Sequence, residues 1–242
     1  PSAAVLRSLA MARSARGDHA AARAAIAEAR ALAGPSLWLT YSEAESEMYA
    51  GNHVVAERLY RAAIMERESA HDHSNLGNCL YYQGRFAEAG ASYRRSLELA
   101  PNDFVAMRNL GDALQAQGDR DGARPWYEKG LAGAEAVLAH GLRSRQALET
   151  RAVCLAQLGR REDAARAADE VLRANPYHPA SFYTAALVAA VSGDRASARA
   201  WTRRALEANA PAAWFESPEF AMMAGDAEFR ALLPPRTTAT GR

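Results

Sequence analysis

The stretch NLGNCLYYQGRFAEAGASYRRSLELAPND, residues 75–103, decides the fold. Its opening Asn-Leu-Gly returns at 109–111, and in both places a second glycine follows seven residues on, at Gly84 and Gly118, with alanine five after that, at Ala89 and Ala123. Carried outward in both directions, Gly-x-x-x-x-Ala recurs six times, at Gly17, Gly51, Gly84, Gly118, Gly159 and Gly193. The spacings are 34, 33, 34, 41 and 34 residues. A period near 34 marks a repeat architecture, because each unit is a supersecondary element that cannot bury its own apolar face and must stack on a neighbour.

Each unit has room for two helices. Leu76, Leu80 and Tyr81 place an apolar stripe at helical spacing on the first. The glycine ends that helix in a left-handed conformation that costs an L-residue a Cβ clash. The alanine keeps the second helix close to the first. Pro35, Pro101, Pro176 and, one residue late, Pro211 stop the second helix and turn the chain into the next unit. Between Gly118 and Gly159 seven extra residues predict a lengthened second helix, from about Pro125 to about His140, ended by Gly141.

The composition bounds the function. With 29 basic and 28 acidic residues in 242, the chain lacks the surplus of base that nucleic-acid binding requires. No run of about 18–20 apolar residues predicts a membrane span, and no signal peptide opens the chain. It begins at Pro1, which reads as a segment of a longer protein. Cys79 and Cys154 stand two repeats apart, beyond disulfide reach, so free thiols in a reducing compartment are expected. His71-Asp72-His73 reads as surface in the turn and first residues before the third unit's first helix, not as a metal site, because two histidines one residue apart share no helical face. No nucleophile, phosphate-loop or dinucleotide motif is found. The expectation is a chain with no catalytic residues, no cofactor and no small-molecule substrate.

On these residues the chain resembles the tetratricopeptide repeat family. The unit at 70–103 matches that consensus at Asn75, Leu76, Gly77, Asn78, Gly84, Phe86, Ala89, Tyr93, Leu97 and Pro101. The other units keep the glycine and alanine, and four replace Leu-Gly by pairs ending in Ala10, Ala44, Ala152 and Ala186. The resemblance implies an all-α, right-handed α-solenoid of about six helix-turn-helix units, at 3–36, 37–69, 70–103, 104–144, 145–178 and 179–210. A short helical cap is expected at 211–235, with turns at about 211–223 and 226–233 folded back over the sixth unit, and a disordered tail at 236–242. It further implies a protein or peptide partner, bound where the first helices line the concave side. The expected exposed positions there are Trp38, Tyr41, Ser42, Glu45 and Tyr49; Ser74, Asn75, Asn78 and Tyr82; Val105, Arg108, Asn109 and Asp112; and Gln146, Glu149, Thr150 and Val153. Of these, Tyr41, Glu45, Tyr49, Asn75, Asn78, Tyr82, Arg108, Asn109, Asp112 and Glu149 are the candidate binding residues, with Asn75 and Asn109 placed to hold an extended backbone through their amides. The family's clamp for a terminal carboxylate is not expected, since Ser74, Gln146 and Thr150 stand where cations would be required.

The end of the chain resembles the tail that follows such arrays in large bacterial regulators, through Pro218-Glu219-Phe220 and through Asp226, Phe229, Arg230, Leu232 and Leu233. Arrays of that kind follow a serine/threonine kinase, winged-helix or cyclase domain. This resemblance implies the C-terminal sensory or scaffolding region of a signalling protein, acting on its own upstream domain or by self-association. It implies a cytoplasmic location, or a periplasmic one behind an upstream membrane span.

Overall fold

The computed structural model describes residues 1–234. The expected disorder at 236–242 lies outside the described residues. Among the described residues all regular structure is helical. Twelve helices pair in chain order: α1 (Ala3–Ala15) with α2 (His19–Ala33), α3 (Leu37–Tyr49) with α4 (His53–Glu66), α5 (Ala70–Tyr82) with α6 (Phe86–Leu99), α7 (Phe104–Ala116) with α8 (Arg120–Ala139), α9 (Arg145–Gln157) with α10 (Arg161–Ala174), and α11 (Pro179–Ser192) with α12 (Arg195–Glu207). Each pair packs on the next, and the odd helices also touch one another, so they form the inner, concave layer of a solenoid.

All six repeat glycines have φ between +76° and +88°. Each closes its helix with the same two bonds, as at Gly84 N–H to the Tyr81 carbonyl (2.9 Å) and Arg85 N–H to the Leu80 carbonyl (2.9 Å). The second helix then returns across the first, and the six alanines at the crossing are fully buried. Ala89→Leu is therefore expected to overpack the crossing of α5 and α6 and cost about 1–3 kcal/mol. Glu88→Ala, one residue away on an exposed side chain that pairs with Arg85, is expected to change little. Thermal melts of the two variants that coincide would show that Ala89 does not set the crossing.

The Leu-Gly pair has a separate cause. A Cβ on Gly77 would lie 2.5 Å from Cε1 of Tyr93, and one on Gly111 2.7 Å from Cε1 of Tyr127. In these two units the tyrosine ring of the second helix lies flat on the backbone of the first, and only glycine leaves room for it. Units one, five and six carry alanine there and a smaller residue in place of the tyrosine, Ile26, Ala168 and Thr202, whereas unit two buries both Ala44 and Tyr60 in the same core.

Two expectations are corrected here. The long helix α8 begins at Arg120 and not near Pro125. Proline inside the helix removes the N–H that would bond the Asp121 carbonyl, but Asp121 is exposed in the first turn, where solvent can reach it. Asp72 is buried and not at the surface; it accepts from the Tyr41 hydroxyl (3.1 Å) and from that of Ser69, so it ties the second unit to the third.

After α12 the chain forms two 3-10 helices, η1 (Ala212–Glu216) and η2 (Pro218–Met223), and a last helix α13 (Ala227–Leu232). α13 lies on α12, held by Arg199 with Asp226 (2.5 Å) and Glu228 (3.1 Å). η1 and η2 fold back onto the sixth unit, where Phe215, Phe220 and Met223 share a core with Phe182 and Ala186 of α11 and Ala198 of α12. They enter the concave side, where η2 packs on α11 and η1 reaches α5. The cause is local. Helices α4, α6 and α10 end in residues with negative φ, Arg67 (−155°), Ala100 (−137°) and Asn175 (−141°). Helix α12 ends instead in the glycine-type motif, with Asn209 at φ 67° and Ala210 N–H bonded to the Ala205 carbonyl (2.9 Å). Asparagine is the residue other than glycine that best tolerates this conformation, and it turns the chain inward.

Candidate binding groove

The concave side holds a partly enclosed cavity of about 330 Å³. Its walls come from α1, α3, α5, α7, α9 and α11, from His19 and His178 beside them, and from Asn209, Pro211 and Trp214 of the returning tail. Counted back from each repeat glycine, the wall residues recur at thirteen, ten, nine and six: Val105, Arg108 and Asn109; Gln146, Glu149, Thr150 and Val153; Ala180, Tyr183, Thr184 and Leu187; and, from α5, Asn78. These offsets are one face of a helix. Tyr49 and Tyr82, each two residues before a glycine, close the near end.

Beneath this wall lies a hydrogen-bonded floor. The Tyr93 hydroxyl donates to Asn78 Oδ1 (2.9 Å), and Asn109 Nδ2 donates to the same oxygen (3.1 Å). The next unit repeats the bond with a charge: the Tyr127 hydroxyl donates to Asp112 Oδ1 (2.9 Å). Arg108 donates to the Asn109 amide oxygen and stands 3.8 Å from Asp112 Oδ2. Its Nε is buried without a partner, as is Oε2 of Glu219. The other oxygen of Glu219, from η2, accepts from the Tyr81 hydroxyl at 2.5 Å across 138 residues of sequence. Burial pushes the Asp112 carboxyl up to about 7; the Arg108 charge opposes this and the Glu219 charge adds to it. Burial also raises Glu149, against the pull of Arg145, its ion partner at 2.8 Å.

The tail supplies an aromatic chain. Trp214 lies between Tyr49 (ring centroids 6.3 Å) and Tyr183 (5.1 Å). Tyr183 meets Phe215 at 5.5 Å, Phe215 meets Phe220 at 5.3 Å, and Phe220 stacks on Phe229 at 5.8 Å. Cys79 and Cys154 are free and buried, and burial pushes both thiols up to about 12, far from the thiolate form needed for reaction.

Of the candidate residues, the structure brings Tyr49, Asn78, Tyr82, Arg108, Asn109 and Glu149 to one cavity. Tyr41, Glu45, Asn75 and Asp112 do not line it. Asn75 turns its amide to His71 and Asn78 on its own helix, and Tyr41 is engaged with Asp72. Ser42, Asn109, Asp112, Thr150 and Val153 were expected to be exposed and are buried. The cause is curvature: adjacent odd helices approach closely on the inside of the bend, so a residue facing inward also packs on its neighbour. Asn109 thus cross-links α5 and α7 through Asn78 instead of presenting a free amide. Sequence reasoning missed α11 altogether, although Tyr183 occupies the register of Arg108 and Glu149, ten residues before a repeat glycine. It also missed Trp214 and Glu219, for which no spacing rule exists.

Sequence profiles described as tetratricopeptide repeat match residues 66–136, residues 109–179 and 150–213, and residues 3–28. No curated protein matches the chain in sequence. Among solved structures, Pseudomonas aeruginosa pilF is similar with a TM-score of 0.54 at 18% identity, over 95% of this chain and 95% of that one. A chain of the APC/C hetero-tetramer Cut9-Hcn1 is similar with a TM-score of 0.60 at 15% identity, over 86% of this chain and 40% of that one. YrrB, a TPR protein with an unusual peptide-binding site, gives a TM-score of 0.42 at 18% identity, over 76% of this chain and 91% of that one. At these identities the likeness is one of fold.

Proposed function

This chain belongs to the tetratricopeptide repeat family, and from that premise we propose that it is a protein-interaction scaffold holding a peptide or partner domain on its concave surface. Proteins of this family are generally such scaffolds. The observation that carries the reading is the cavity wall itself, in which the same registers of successive helices converge on one space with amides, aromatic rings and charges of both signs. The candidate residues at that space are Tyr49, Asn78, Tyr82, Arg108, Asn109 and Glu149, joined by Gln146, Tyr183 and Trp214. The test is site-specific photo-crosslinking. A benzophenone side chain at Gln146, exposed at the cavity rim, is expected to yield partner adducts. The same group at Glu128, exposed on the outer helix α8, is expected to yield none. Adducts from Glu128 alone would place the interaction on the convex face and overturn the proposal.

A second reading is regulation in cis, in which the array controls an upstream catalytic or DNA-binding domain of its own polypeptide. The resemblance of residues 218–233 to the tails of bacterial regulators favours it. Whether the gene encodes a catalytic or DNA-binding domain in the same polypeptide would decide between binding in trans and control in cis.

A further inference from the structure

We propose that the cavity is an anchor pocket for one aromatic side chain of a partner, carried on an uncharged stretch of backbone. The inference rests on the concave face being the binding surface and names what that face selects.

Size comes first. A cavity of about 330 Å³ lies at the lower end of the range of pockets that enclose a small-molecule-sized group, which is the scale of one large side chain with its flanking peptide units. η1 and η2 occupy part of the concave side beside it. The tail is a fixed wall: Phe215, Phe220, Met223 and Phe229 are between 0% and 3% exposed, so a partner that displaced it would have to expose all four.

The walls then select the side chain. Tyr49, Tyr82, Tyr183 and Trp214 surround the space, with Val105, Val153 and Leu187 between them. The chain's own Trp214 shows what these walls accept, an indole tilted at 49° to Tyr49 and 60° to Tyr183. A second ring can meet the same faces in tilted or offset contact, and the Arg108 guanidinium supplies a cation beside it. Charge argues for an uncharged partner segment. Arg145 is matched by Glu149, and Arg108 stands over the Asp112 carboxyl with Glu219 also acting on that site, so neither sign is in excess. Gln146, exposed at the rim, offers a donor and an acceptor for a peptide group beside the ring.

The experiment uses the full chain and N-acetyl-5-fluorotryptophanamide as the probe, followed by fluorine NMR. Saturable binding is expected with a dissociation constant of about 1 mM or lower, the range open to a ligand of this size. N-acetyltyrosinamide is expected to displace the probe, while N-acetylleucinamide and N-acetylglutamate amide at equal concentration displace it at least tenfold less well. Ala180→Phe fills the cavity from the partly exposed first turn of α11 and is expected to weaken probe binding at least tenfold without altering the circular dichroism spectrum. If that variant does not fold, Gln146→Trp at the exposed rim does the same from the opposite wall. No probe binding to the wild type, equal binding to the filled variants, or stronger displacement by the glutamate amide would each overturn the proposal. Probe binding lost while cross-links from Gln146 persist removes the aromatic anchor alone. Cross-links lost as well removes the concave binding surface on which it rests.

Discussion

Truncation after Ala210 is expected to lower the melting temperature by ten degrees or more and to turn the chain into an aggregating species. The removed segment buries Phe215, Phe220, Met223 and Phe229 almost completely. At about 1.5–3 kcal/mol each, these four contribute on the order of 6–12 kcal/mol, an upper figure because the unfolded chain already hides part of their area. For a chain of this length each kcal/mol moves the midpoint by roughly 2–4 °C. What the truncation uncovers is apolar and continuous. Phe182, Ala186, Leu187 and Ala190 of α11 and Ala198 and Ala205 of α12 share one core cluster with the tail. A solenoid end of that kind needs a cover to stay in solution. Phe220→Ala isolates the centre of the ring chain, where Phe215, Phe229 and Tyr183 all meet it, and is expected to cost about 3–5 kcal/mol by itself. Calorimetry together with light scattering reads both effects. A truncated chain that stays monomeric with an unchanged melt would show that the tail's aromatic residues do not cap the array.

The reach of sequence reasoning in this chain follows the reach of its interactions. The repeat glycines and alanines declare themselves because each answers a local demand, a left-handed turn or a helix crossing, and the demand recurs every 34 residues or so. Gly77 and Gly111 were visible as part of a consensus, but their reason, a tyrosine ring sixteen residues on lying against the backbone, needs the packed pair. The groove was legible as a helical face and illegible as a surface. Asn109 and Thr150 have the right register and are nonetheless buried, because the curvature that brings odd helices together depends on every interface in the stack. The tail was the hardest part. Its aromatic content demands burial but does not say against what, and the turn at Asn209 that sends it inward looks in sequence like any polar residue between Ala208 and Ala210.

Asp112 and Asn78 occupy the same register and accept the same tyrosine bond, one with a charge and one without, so the fold itself supplies the control for a pH experiment. Burial is the main reason that Asp112 holds its proton to about 7 instead of its ordinary 3.8, with Arg108 pulling the other way and Glu219 reinforcing the burial. A carboxyl whose folded value lies above its unfolded value favours folding most when it is protonated in both states. Its contribution is therefore complete below about pH 4 and is lost as pH rises through about 7. The wild type is expected to melt lower at pH 8.5 than at pH 5.5, with this group supplying a few kcal/mol of the difference, on the order of 1.4 kcal/mol for each unit of displacement. Asp112→Asn keeps an oxygen for Tyr127, as Asn78 does for Tyr93, and removes the titration. The decisive quantity is the slope of stability against pH, because the variant also leaves Arg108 without its carboxylate and shifts the absolute level at every pH. Groups that the substitution does not touch contribute alike to both slopes and cancel. The slope between pH 5.5 and 8.5 is expected to be shallower in Asp112→Asn than in the wild type. Parallel profiles would mean that Asp112 is ionised throughout this range in the folded chain, and that Arg108 pairs with it closely enough to offset its burial.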